Sequence, residues 1–144
     1  MKVELVSNLR EVEPSQWDKL NILNHPFTSF DFLNSLEISG SVSPKTGWHP
    51  KHIIVKDTNN VIIGACPNFL KTHSYGEYIF DHAWANAFEN AGGQYYPKLI
   101  SAIPFTPATG PRILIEENHP DNDQIFALII DTFESIVQKN NLSS

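Results

Sequence analysis

Charged and apolar residues alternate along Met1-Lys2-Val3-Glu4-Leu5-Val6, the period-two pattern of a strand with one covered face. Glu13-Pro14-Ser15-Gln16-Trp17 then sets a proline where a helix begins, and Trp17, Leu20 and Leu23 supply a short apolar stripe. After the break at Pro26, Thr28 or Ser29 caps a second helix with Phe32, Leu33 and Leu36 on its buried face and Gly40 at its end. Ser41 to Pro50, rich in serine, proline and glycine, reads as a linker.

Two β-branched runs follow, His52–Lys56 and Val61–Ala65, joined by the turn Asp57-Thr58-Asn59-Asn60, which predicts a hairpin. Its second strand is expected to continue through Asn68–Thr72, with Pro67 forcing an edge position or a bulge. Phe80, Trp84, Ala87, Phe88 and Ala91 recur at helical spacing before Gly92-Gly93, predicting a helix with an aromatic face. Lys98–Ile103 and Arg112–Ile115 read as strands around a proline-broken loop. The last helix opens at His119-Pro120, carries Asp121 and Asp123 at its positive end, and lines up Ile125, Phe126, Ile129, Phe133, Ile136 and Val137. This order of elements predicts a mixed α/β domain without internal repeats, closing on a helix broad enough to want cover on more than one side.

At 144 residues the chain can bury a sizeable core as one domain. The single cysteine, Cys66, cannot form an internal disulfide, and its apolar neighbours mark it as a small core residue; a cytoplasmic location is expected. The N-terminus resembles neither a secretory signal nor a membrane span. A net charge of -6 and only two arginines, Arg10 and Arg112, argue against a duplex nucleic acid partner.

Candidate chemistry is sparse. His49 and His52 are three apart in an extended segment and point to opposite faces, so no metal site is expected. Glu77, Asp81 and His82 are the raw material of acid–base catalysis, or simply acids at a helix N-terminus. The loop Pro104–Arg112 frames two threonine hydroxyls and a guanidinium with three prolines, and can hold an anionic or carbonyl group. Those prolines also remove N–H donors that a pyrophosphate cradle requires, which argues against a coenzyme A site there. Tyr95-Tyr96-Pro97-Lys98 can line the same pocket, or its tyrosines can be rim residues and its lysine solvated.

Together, His25-Pro26-Phe27, Ser39-Gly40-Ser41-Val42 with Gly47-Trp48, Phe80–Ala85, Gly93–Leu99 and Pro104–Arg112 resemble the FemAB-like, or peptidoglycan biosynthesis/recognition, family of bacterial GNAT-type proteins. The resemblance runs from about Phe27 to Ile115. It implies a GNAT-like α/β fold with a central, mostly antiparallel sheet flanked by helices, usually in two tandem halves. On that reading residues 1–144 are one GNAT-like domain, the N-terminal half of a longer architecture and an incomplete one. It also implies transfer of an acyl or aminoacyl group to a small-molecule or peptide amine, such as one on a cell-wall precursor. The donor of the complete protein would be acetyl- or another acyl-coenzyme A, or an aminoacyl-tRNA.

The GNAT donor loop, a basic residue and spaced glycines before a helix, is missing between Ile103 and the last helix, so no cofactor is expected on this part. The implied acceptor pocket comprises Tyr95, Tyr96, Lys98, Thr106, Thr109 and Arg112, with His82 nearby. A tyrosine, histidine or carboxylate would take the amine proton, with His82 and Tyr96 as the candidates, and Thr109 or Arg112 would stabilise the oxyanion. Two rivals stay open: a non-catalytic module that binds a peptide, amine or cell-wall fragment, and a chain that pairs with itself or with a C-terminal GNAT-like unit.

Overall fold

A computed structural model describes residues 1–78 and 80–144. The alternating N-terminal segment is β1 (Lys2–Val6). Pro14 opens α1 (Pro14–Leu20), and the Ser29 hydroxyl accepts the Phe32 N–H to cap α2 (Phe30–Ile38). Trp17 and Leu20 of α1 are buried, whereas Leu23 lies beyond the helix and is 71% exposed. The apolar stripe of this helix therefore ends one residue before Asn21.

The expected linker is ordered. Pro44–Thr46 forms a 3₁₀ turn, Gly47 follows in the left-handed region, and Trp48–Pro50 becomes β2. Strands β3 (His52–Lys56), β4 (Ile62–Cys66) and β5 (Phe69–Lys71) follow, then α3 (His82–Asn90), β6 (Lys98–Ile100), β7 (Leu114–Ile115) and α4 (Asn122–Lys139). The strand expected over 98–103 is thus three residues long, and Arg112 and Ile113 lie outside a strand.

The strands form two antiparallel sheets, β1-β3-β4-β7 and β2-β5-β6, rather than one. The β3–β4 hairpin nonetheless continues into β2–β5 without a slip. Ile53 faces Cys66, the Lys51 N–H donates to the Asn68 carbonyl at 2.8 Å, and Pro50 faces Phe69. Pro67, which has no N–H to give, sits where the ribbon passes between sheets; the register irregularity falls instead at Val55/Lys56.

Strand β3 is apolar on both faces because both are covered. Ile54 packs with Trp17, Leu20, Phe30, Leu33 and Ala65 on the α1/α2 side. Ile53 and Val55 pack with Ile63, Cys66, Ile125, Ile129 and Ile136 on the α4 side. Gly64 lets α4 sit this close, since a Cβ there would lie 2.6 Å from Ile125 Cγ2. Cys66 is a buried core residue whose thiol burial pushes up to about 12, and it donates no reactivity to any site. Phe126, expected on the buried face of α4, is 49% exposed.

Trp17, His52 and Glu37 place their polar atoms in pairs inside this core. The buried Trp17 indole donates to the Thr28 carbonyl at 2.9 Å. His52, fully buried, accepts the Asn68 N–H at Nδ1, which leaves the ring proton on Nε2 facing Glu37 Oε1 at 2.8 Å. The other Glu37 oxygen accepts the Leu9 N–H at 2.9 Å. His52 is therefore a core histidine, and among the described residues no group of three or more His, Cys, Asp or Glu is placed to hold a metal.

Candidate functional site

The small sheet sets two lysines directly opposite each other, Lys71 on β5 and Lys98 on β6, both buried. Like charges at such a pair are destabilising, and buried ones demand partners. The turn after β5 and the start of α3 bring those partners. Glu77 Oε2 accepts from Lys98 Nζ at 2.8 Å, and Asp81 Oδ2 accepts from the same ammonium. Tyr95 and Tyr96, just before β6, donate their phenol protons to Asp81 Oδ2 and Oδ1 at 2.8 Å each.

This network tunes its members. Burial raises Asp81, but the bonds from Lys98, Tyr95 and Tyr96 outweigh it and hold the carboxyl well below the usual range. Burial and the bond to Asp81 push Tyr95 up to about 12, and burial followed by Asp81 raises Tyr96 as well. Burial lowers Lys98, yet Asp81 and Glu77 win and raise it.

Lys71 is held differently. Its Nζ donates to the Tyr75 carbonyl at 2.9 Å and lies 4.0 Å from the Trp48 ring centroid, a cation–π contact. Burial brings it down to about 8, against the pull of Glu77 and with the push of Lys98. The unfolded chain, with its lysine at about 10.5, therefore binds this proton more tightly, so stability should rise as pH climbs from 8 toward 10. The urea midpoint should increase across that window and stay flat in Lys71→Met, which keeps the stem and removes the charge.

A cleft of about 340 Å³ opens beside this network. Trp48, Ile100 and Ile103 contribute apolar lining; Thr106, Thr109 and Arg112 line it from the proline loop, and Glu77 and Tyr78 from the turn. Gly76 makes the turn possible: it has φ +83°, and a Cβ would lie 2.5 Å from the Phe105 ring and 2.9 Å from Trp48 Nε1. Among the described residues, two buried polar atoms of the lining residues have no protein partner, Glu77 Oε1 and Trp48 Nε1.

Thr106, Thr109 and Arg112 thus line the cleft together, whereas Lys98 reaches it only through its bond to the lining residue Glu77, and Tyr95 and Tyr96 are one step further away, bonded to the Asp81 that shares Lys98. The Arg112 guanidinium donates to the carbonyls of Ala108, Gly110 and Pro111 and ties the loop to itself. His82 stands apart: it is exposed and stacked on Phe80, with ring centroids 5.7 Å apart and planes 8° apart. The aromatic face of α3 is likewise turned outward, with Trp84 73% and Phe88 42% exposed. Glu77 and Asp81 do not decorate one helix face; they converge on Lys98 from the turn and the N-cap. Glu77 and Trp48 are the site residues that sequence reasoning undervalued, and two lysines inside apolar strands were the signal that carboxylates had to come to them.

The 104–112 loop does not fit a coenzyme A pyrophosphate. Pro104, Pro107 and Pro111 lack the N–H donors such a group needs, and the Arg112 guanidinium is committed to loop carbonyls. Among the described residues no helix is long and apolar enough to cross a membrane.

Comparison with curated proteins and with solved structures finds no significant match. Residues 8–144 match the model of the FemAB-like family, described as peptidoglycan biosynthesis/recognition. The antiparallel sheets flanked by four helices agree with the GNAT-related character of that family. The chain belongs to the FemAB-like, peptidoglycan biosynthesis/recognition family, and its function is tied to peptidoglycan.

Proposed function

We propose that this chain is the acceptor-binding, GNAT-like unit of a FemAB-like transferase, the N-terminal half of a two-unit architecture. The cleft takes the peptide part of a cell-wall precursor, whose amine receives an acyl or aminoacyl group. One observation carries the reading: Glu77 lines the cleft, and among the described residues its buried Oε1 has no partner, while Lys98 fixes its other oxygen. An amine N–H is the donor that oxygen lacks.

In transfer, the amine nitrogen forms a new C–N bond to the acyl carbon as the bond from that carbon to its carrier breaks, and the nitrogen sheds a proton. Glu77 Oε1 is the atom placed to take it. The Thr106 and Thr109 hydroxyls and the apolar lining position the peptide beside it. The donor is assigned to another unit, because the proline loop does not fit it.

Calorimetry with an amine-bearing cell-wall peptide and its N-acetylated form tests the reading. The free amine should bind about tenfold more tightly, and the difference should vanish in Glu77→Gln, whose amide turns a donor toward the amine. Equal binding of the two peptides overturns it. Acetyl-coenzyme A binding that Arg112→Ala abolishes would return the donor to this chain.

A second reading, recognition without catalysis, is favoured by a specific observation. Both tyrosine protons are committed to Asp81 and His82 lies elsewhere, so among the described residues Glu77 is the one carboxylate on the cleft lining. Turnover of the bound peptide by the two-unit protein separates the readings.

A further inference from the structure

His25-Pro26-Phe27 takes no part in the cleft lining, yet it is joined to that lining by one bond. Pro26 keeps the residue before it extended, and His25 stands at φ -67°, ψ 119°. The buried Asn21 grips its backbone twice: Asn21 Oδ1 accepts the His25 N–H at 3.0 Å, and Asn21 Nδ2 donates to the His25 carbonyl at 2.9 Å. Thr28 Oγ1 donates to the same Asn21 oxygen at 3.1 Å, and the Trp17 indole holds the Thr28 carbonyl. The Phe27 ring stands edge-on to the imidazole, with centroids 5.8 Å apart. The core therefore carries this imidazole and leaves it little freedom.

The proline loop meets it from the other side. Arg112 bonds the carbonyls of Ala108, Gly110 and Pro111, so residues 108–112 form an arch braced by its own guanidinium. Among the described residues, the stretch 107–113 makes one hydrogen bond to the rest of the chain: the Thr109 carbonyl accepts from His25 Nε2 at 2.7 Å. A carbonyl can only accept, so the ring proton is on Nε2. Nδ1 is buried and has no partner among the described residues, which leaves the imidazole joined to the arch by this proton alone. Gly110 lets the arch close on the ring, since a Cβ there would lie 2.4 Å from His25 Nε2.

Thr109 and Arg112 line the cleft from this arch. A segment that is stiff inside and held outside at one point keeps its place only while that point holds. We infer that His25 is a positioning residue of the cleft: its Nε2–H latches the arch, and with it the Thr109 and Arg112 side of the wall, where a ligand meets it. A wall fixed in advance need not be ordered when the ligand binds. That the ligand is an amine-bearing peptide rests on the acceptor-cleft reading; the latch itself does not.

His25→Gln, His25→Asn and His25→Ala test this role in the full chain. The Gln amide nitrogen extends as far as Nε2 and can donate to Thr109, whereas the Asn amide, one methylene shorter, stops at the level of Nδ1. Hydrogen–deuterium exchange of the fragment 105–113 should accelerate about tenfold in Ala and Asn and return close to wild type in Gln. Exchange of β3 in the same samples should not change. Calorimetry with the amine-bearing cell-wall peptide should follow the same order, about tenfold weaker in Ala and Asn and recovered in Gln.

Arch exchange that is unchanged in Ala, or as fast in Gln as in Ala, overturns the latch. Acceleration of β3 together with the arch also overturns it, by giving His25 a general part in the fold. The expected exchange with equal peptide affinity in all four proteins overturns the positioning role. The expected exchange with no peptide bound even by wild type supports the latch and overturns the acceptor-cleft reading instead.

Discussion

Asp81→Ala is expected to destabilise the chain by about 3–4 kcal/mol, read as a lower urea midpoint at unchanged slope. The substitution removes the common acceptor of two phenols and an ammonium. Tyr95 is then left with a buried hydroxyl, and Lys98 with Glu77 alone. A spectroscopic readout accompanies the loss: without Asp81, the Tyr95 phenol should fall from about 12 toward its ordinary value, visible as phenolate absorbance at lower pH. The wild-type network has a matching acid sensitivity. The folded carboxyl sits below its unfolded value of 3.8, so its contribution is complete above that pH and is lost as pH falls through the folded value. Asp81→Asn should flatten this acid limb. An unchanged midpoint in Asp81→Ala would mean that the network does not brace the turn that carries Glu77.

Glu37→Ala is the second large effect, about 2–5 kcal/mol, because it orphans two buried donors at once. His52 Nε2–H and the Leu9 N–H both end on this carboxylate, which is itself 9% exposed at its side chain. Glu37→Gln should be milder: its carbonyl serves one donor, while its amide confronts the other. Thermal and urea unfolding check the order wild type, Gln, Ala. A Gln variant as weak as Ala would show that the two bonds are not separable.

Much of the fold was legible because period and burial agree. The two-sided apolar run of β3, the alternation of β1 and the Ile125/Ile129/Ile136 stripe of α4 state where their side chains go. Where the sequence misled, a local signal was true but incomplete. The Ser/Pro/Gly content of 41–50 correctly marks the turn at Pro44–Thr46 but hides β2, which exists because Trp48 packs on Phe69. The ring spacing of α3 is helical, yet Ala85 is the buried residue and the rings face out, since periodicity reports a face without saying what covers it. Tyr95, Tyr96 and Lys98 were legible as a group because they are neighbours in sequence. Glu77 was legible only as an acid near Asp81 and His82, because its role depends on a lysine 21 residues away and on a cleft that only the folded turn creates.

The unbroken count from β3–β4 into β2–β5 makes the hairpin a ruler for the site. Two residues facing each other always sum to the same number between Trp48/Lys71 and Val55/Gly64. Deleting one residue between Gly64 and Lys71 would turn every side chain beyond it to the opposite face, carrying the Lys71 ammonium out and Leu70 in. Length can change freely only at the tip, around Asp57–Asn60, on the far side of the bulge. The arm of the ribbon that reaches the cleft is thus closed to insertion, and variation in this chain has one place on that hairpin to go.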